Sequence, residues 1–114
     1  MSVAIERGDI YWVDWEPARG CEQKGKRPAL VIQNNTGNKF GATTIVAACS
    51  TKFTQPYPFQ VQVKTLESGL PDDCIVDLAQ LITIDKSRLI KKCGKLSTDK
   101  MAEINKAIEV SLGL

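Results

Sequence analysis

The spacing of apolar residues changes character once along this chain, after Leu96, and that change constrains the fold more than any other feature. Before it, apolar, aromatic and β-branched residues come in short runs at positions 10–15, 28–33, 43–49, 59–64, 74–78 and 89–96, the fourth of them strictly alternating. Runs of this length, separated by Gly, Pro, Asn and Asp, read as strands. The separators include Glu16-Pro17-Ala18-Arg19-Gly20, Asn34-Asn35-Thr36-Gly37-Asn38 and Gly69-Leu70-Pro71-Asp72-Asp73, all rich in turn formers. After the change, Met101, Ile104, Ala107, Ile108 and Leu112 recur at helical spacing. Ser97 or Thr98 caps this helix, Asp99 and Glu103 favour the positive end of its dipole, and Gly113 stops it. The expectation is a mainly β chain of α+β class: five or six short strands in a small barrel-like sheet packed on one C-terminal helix. With 114 residues and no repeat or low-complexity tract, residues 1–114 read as a single domain.

Two absences narrow the chemistry. The chain has no histidine, so it lacks the side chain that most often moves protons near neutral pH and most often binds zinc. Its four cysteines, Cys21, Cys49, Cys74 and Cys93, form no C-x-x-C pair, which argues against structural zinc and for reduced thiols buried as small hydrophobes. No metal or other cofactor is expected. Apolar residues at 43% and charged residues at 25% exclude a disordered chain. No apolar run is long enough to span a membrane, and Met1-Ser2-Val3-Ala4-Ile5-Glu6-Arg7 has no signal-peptide pattern, so a cytoplasmic protein without membrane contact is expected.

The net charge is only +2, but cations cluster. Arg19, Lys24, Lys26 and Arg27 share one segment with a single acid, Glu22, and Lys86, Arg88, Lys91, Lys92 and Lys95 share another with none. Such segments suit a phosphate backbone, or are simply solvated faces. Within the first segment, Arg27 precedes Pro28, which restricts it to extended backbone at a strand entrance, and a held guanidinium fork suits phosphate. Ser50 and Thr51 follow the third run, where hydroxyls either donate to phosphate oxygens or stabilise a turn. Gln80 is an amide in an apolar stretch and must find a partner. Phe53 and Tyr57, in a Pro-containing loop, are candidates for stacking on bases.

Taken in order, Arg7-Gly8-Asp9-Ile10-Tyr11-Trp12-Val13-Asp14, Pro17 to Gly20, Glu22-Gln23 and Lys26-Arg27-Pro28-Ala29-Leu30-Val31-Ile32-Gln33-Asn34 resemble the N-terminal signature of the MazF/PemK toxins. The similarity continues through Thr44-Ile45-Val46-Ala47-Ala48, Gln80, Thr83-Ile84-Asp85-Lys86 and Arg88-Leu89 to Ser111-Leu112-Gly113-Leu114. The resemblance implies an SH3-like small β-barrel of the MazF/CcdB toxin type. It further implies a homodimer, a cognate antitoxin and a sequence-specific, ribosome-independent endoribonuclease acting on single-stranded RNA. Such an enzyme works without metal, leaving 2′,3′-cyclic phosphate and 5′-hydroxyl ends. Position by position, Arg27 matches the arginine regarded as catalytic, and Ser50 stands where many members carry threonine, with Thr51 next to it. Glu22 and Gln23 match the acid–amide pair of the first long loop, and Gln80 a glutamine of the RNA groove. With Arg19, Lys24 and Lys26, the residues Gln23 and Gln80 form the expected RNA-binding set. Ala79 stands where close relatives can carry glutamate, a departure that bears on base recognition. Arginine stays protonated in protein settings, so the general base is open, with Glu22 as the loop's alternative. Competing readings are a non-catalytic toxin of the same fold that binds a protein, as gyrase poisons do, and a nucleic-acid-binding SH3-like module.

Overall fold

In the computed structural model, residues 4–15, 25–51 and 56–114 are described. Strands β1 (Asp9–Asp14), β2 (Lys26–Val31), β3 (Thr43–Ser50), β4 (Gln60–Val63), β5 (Cys74–Asp85) and β6 (Leu89–Lys95) form one antiparallel sheet ordered β4-β5-β3-β2-β1-β6. Helices α1 (Asn35–Phe40) and α2 (Thr65–Ser68) are short, and α3 (Thr98–Leu112) closes the chain. The sheet curves into a half-barrel around α3, as the change of period predicts.

Both faces of the sheet are apolar at its centre, so the strands read as continuous apolar runs rather than alternating ones. On one face Ile10, Leu30, Val76 and Leu78 pack with Met101, Ile104 and Ala107 of α3. On the other, Tyr11, Val13, Trp15, Ala29, Val31, Val46 and Ile84 form a second cluster. Full burial of each such aliphatic side chain stabilises by about 1.5–3 kcal/mol. Ser97 is the helix cap, its side chain accepting from the Lys100 N–H at 3.2 Å, and Gly113 ends α3 with φ 71°.

Three features depart from the expectation. The Asn-rich stretch after β2 folds into α1 instead of a plain turn. Asn34 Oδ1 accepts the Gly37 N–H at 2.7 Å, and buried Asn38 donates to Gln33 O and accepts from Thr44 Oγ1. The side-chain bonding that makes asparagine a turn former also makes it a helix cap. Second, β5 runs through residue 85 instead of stopping at 78. Its pairing with β3 jumps from Ala48↔Asp77 to Ala47↔Leu81, leaving Leu78, Ala79 and Gln80 in a bend. Asp77 Oδ1 accepts the Ala79 N–H there, and Ser111 of α3 donates to Leu78 O at 2.6 Å. The bend therefore keeps the Ala79 N–H and the Leu78 carbonyl partnered inside a long strand.

Third, the basic segment of residues 86–95 is largely structural. Lys92 and Lys95 flank buried Asp9, with Lys92 Nζ 3.2 Å from its Oδ1, and Lys95 also reaches Glu6. Arg88 donates to Asp14 O, and Lys86 donates to Asn38 O. These cations tie β6 and the turn before it to the rest of the chain.

Candidate functional site

The site begins where a strand pairing ends. β2 pairs with β1 along Lys26 to Leu30, but with β3 only along Ala29 to Val31. Pro28 has no N–H to continue a ladder, and the β2–β3 pairing stops beside it. Beyond that point the ladder between the two strands does not continue, although both run on: Lys26 and Arg27 on β2, Cys49 and Ser50 on β3. Arg27 is in extended backbone, as its place before Pro28 requires. Carried two residues past Ala29↔Ala48, the register sets Arg27 across from Ser50, on one face of the sheet.

On the other side of this splay lies a cleft of about 190 Å³ lined by Trp12, Lys26, Arg27, Pro28, Thr51, Leu70, Pro71 and Asp72. Its far wall is held by an unusually close approach. Gly69 has φ 76°, and a Cβ there would collide with the Cys93 carbonyl; a Cβ on Gly94 would collide with that of Ser68. Only glycines let α2 and β6 meet backbone to backbone, and this contact fixes residues 70–72 opposite Arg27. Asp73 Oδ1 accepts the Thr65 N–H at 2.9 Å, and Ser68 Oγ accepts the Leu70 N–H at 3.0 Å, so the turn is bonded to α2.

The local electrostatics leave the cations exposed. Lys26, Arg27 and Thr51 are all exposed, and the Arg27 guanidinium makes no hydrogen bond or ion pair with another described residue. The thiol next to Ser50 is not a nucleophile. A hydrogen bond with Cys74, together with complete burial, pushes Cys49 well above the ordinary thiol range. Among the described residues, no group of three Cys, Asp or Glu side chains is arranged to hold a metal. What the arrangement offers is a fork-shaped cation, a hydroxyl across from it and a half-apolar slot beside them, a set suited to a phosphodiester and an adjoining base.

The sequence-derived candidates divide accordingly. Arg27 and Ser50 stand in register across the splay, and Lys26, Arg27 and Thr51 line the cleft. Gln80 sits in the β5 bend and is not among the residues lining the cleft. Arg19, Cys21, Glu22, Gln23, Lys24 and Phe53 lie outside the described residues. Tyr57 stacks on Phe59, ring centroids 5.4 Å apart and planes 1° from parallel. Sequence reasoning missed Trp12, Leu70, Pro71 and Asp72 as cleft residues. The paired close approach of Gly69 and Gly94 is what brings that turn to the site, and neither glycine announces it in isolation.

Comparison with known proteins points the same way. Endoribonuclease MazF of Staphylococcus saprophyticus is 43% identical over 111 residues, covering 96% of this chain and 92% of that protein. In structure, MazF from Deinococcus radiodurans superposes with a TM-score of 0.82 at 24% identity, covering 99% of this chain and all of that one. A mycobacterial endoribonuclease solved in complex with its cognate antitoxin gives the same TM-score at 25% identity, covering 97% of each chain. The PemK-like, MazF-like toxins of type II toxin–antitoxin systems match residues 6–112, so the chain belongs to that family.

Proposed function

We propose that this toxin is a sequence-specific endoribonuclease that cuts single-stranded RNA by metal-independent transesterification, independently of the ribosome. The observation that carries the reading is the β2–β3 splay, with Arg27 in register with Ser50 and its guanidinium exposed. RNA brings its own nucleophile, the 2′-hydroxyl, so the protein has only to align it and stabilise charge on phosphate. Arg27 neutralises the non-bridging oxygens of the phosphorane and donates a hydrogen bond to the leaving 5′-oxygen, which takes its proton from solvent. Ser50 adds a hydrogen bond to the same phosphate; Lys26 and Thr51 flank it. Attack by the 2′-oxygen forms one P–O bond and breaks the bond to the 5′-oxygen, giving a 2′,3′-cyclic phosphate and a 5′-hydroxyl. Glu22 is the candidate base for the 2′-hydroxyl proton, and Arg19, Gln23, Lys24 and Gln80 complete the RNA-binding set.

The working form is a homodimer in the cytoplasm, in which two short basic surfaces join into one longer groove. Its protein partner is a cognate antitoxin whose extended acidic segment competes for the same cations. The relative bound to its cognate antitoxin supports this pairing.

Two measurements test the reading. Antitoxin-free protein incubated with single-stranded RNA in EDTA is expected to cut it at a short motif, and intact RNA would overturn the assignment. Sedimentation at micromolar concentration should give roughly twice the 12.5 kDa chain mass; a monomer that still cuts would remove the composite groove.

A further inference from the structure

The cleft beside Arg27 contains one group that an RNA-binding surface does not explain. Asp72 lines it together with Lys26, Arg27 and Thr51, and its neighbours on the wall are the apolar faces of Trp12, Pro28, Leu70 and Pro71. A carboxylate next to a phosphate track repels the ligand and costs affinity. Among the described residues, nothing shows a structural role for Asp72 to set against that cost. It makes no hydrogen bond or ion pair with a described residue, whereas its neighbour Asp73 accepts the Thr65 N–H and holds the turn. RNA has no cation to offer a carboxylate; its complementary groups are the 2′-hydroxyls and the N–H donors of its bases, and of these only a base also matches the apolar walls of Trp12, Pro28, Leu70 and Pro71. The shape agrees: about 190 Å³ is below the roughly 300 Å³ at which pockets for drug-sized ligands begin, and flat apolar walls containing an indole suit one stacked base.

Resting on the endoribonuclease reading above, we infer that this cleft seats one splayed base beside the scissile phosphate and that Asp72 selects a base bearing an exocyclic amine. Adenine, cytosine and guanine each present an amine on the Watson–Crick edge, and guanine adds an adjacent ring N–H for a bidentate contact. Uracil presents two carbonyls around a single N–H, and an acceptor-only carboxylate faces those carbonyls unfavourably. Asp72 is thus a specificity-determining residue. Its neighbours Trp12 and Pro28 supply stacking surface that every base shares.

The test uses a random-sequence RNA pool in EDTA, with cut sites mapped by sequencing for the wild-type chain, Asp72→Asn, Asp72→Ala and Asp73→Ala. Cleavage by the wild type tests the endoribonuclease reading on its own. Given that cleavage, one position next to the cut should show uracil depleted by about tenfold or more. Asp72→Asn should admit uracil at that position, because an amide donates as well as accepts, and Asp72→Ala should flatten the preference there. Asp73→Ala should lower the thermal midpoint and leave the motif unchanged. An unchanged motif in both Asp72 variants overturns the inference. So does an equal loss of cleavage on all sequences, which would assign Asp72 to catalysis or folding instead of base reading.

Discussion

Substituting Gly94 by alanine probes the contact that builds the cleft wall. A Cβ there would lie 2.9 Å from the Ser68 carbonyl carbon and nearer still to its oxygen. Both atoms belong to backbone at the end of α2, so no side-chain rotation relieves the clash, and α2 has to back away from β6. Overpacking of this kind costs about 1–3 kcal/mol. The alanine offsets about 0.4–1 kcal/mol of that by reducing the freedom of the unfolded chain. Taken at the upper end of that cost, about 3 kcal/mol, because the clash is with backbone, the net loss is about 2–2.6 kcal/mol, and at about 4 °C per kcal/mol the thermal midpoint should fall by about 8–10 °C. Gly69→Ala should cost more, because φ 76° adds left-handed strain of about 1–2 kcal/mol to a collision with the Cys93 carbonyl. The double variant should lose less than the sum, since one retreat of α2 makes room for both methyls. Thermal unfolding by circular dichroism measures all three. A Gly94→Ala protein that melts with the wild type, or a strictly additive pair, would refute the close-approach argument.

Other expectations follow from the same geometry. Ser50→Ala should slow RNA cleavage by about 10- to 1,000-fold as one transition-state hydrogen bond is lost. If Thr51→Ala is the damaging change instead, the Arg27–Ser50 register does not carry the phosphate. Glu67 should support the fold in a pH-dependent way. The Lys64 N–H, donating to its Oε1 at 3.0 Å, and the nearby Lys100 ammonium hold its carboxyl below the ordinary value. Its contribution is therefore present above the ordinary glutamate pKa near 4.3 and is lost as pH falls through the lowered folded value. The gap in thermal midpoint between wild type and Glu67→Gln should be open at pH 7 and close below about pH 4; a gap that persists there contradicts the assignment. RNA and antitoxin should exclude one another on the Arg27→Ala protein, and added salt should weaken RNA binding more steeply than antitoxin binding, because buried apolar contacts are not screened. A stable ternary complex would move inhibition away from Arg27.

Much of the fold was legible because its signals are local. The strand runs, the Ser97 cap and the Met101–Ile104–Ala107 face of α3 each depend on residues within one or two turns of one another. The length and bend of β5 were not legible: the strand was expected to stop at Leu78, and the jump in register that carries it on to Asp85 depends on β3. The short helix α1 was hidden because asparagine serves turns and caps alike. At the site, the Arg27-Pro28 dipeptide was visible, since proline acts on its neighbour and on its own ladder. The cleft opposite was not, because Asp72 reaches it only through Gly69 and Gly94, which are 25 residues apart in sequence. The second basic segment misleads for a similar reason: its acidic partners, Glu6 and Asp9, lie at the other end of the chain.

The central claim is that the RNA's own 2′-hydroxyl performs the attack while Arg27 stabilises the phosphate. It is tested most directly with a short RNA containing the cut motif, made twice, once all-ribose and once with a single 2′-deoxynucleotide on the 5′ side of the scissile bond. In EDTA, the all-ribose strand should yield a 2′,3′-cyclic phosphate and a 5′-hydroxyl, the deoxy strand should stay intact, and Arg27→Ala, folded as judged by circular dichroism, should cut neither. Cleavage of the deoxy strand at a comparable rate, or a folded Arg27→Ala protein with full activity, would contradict the account.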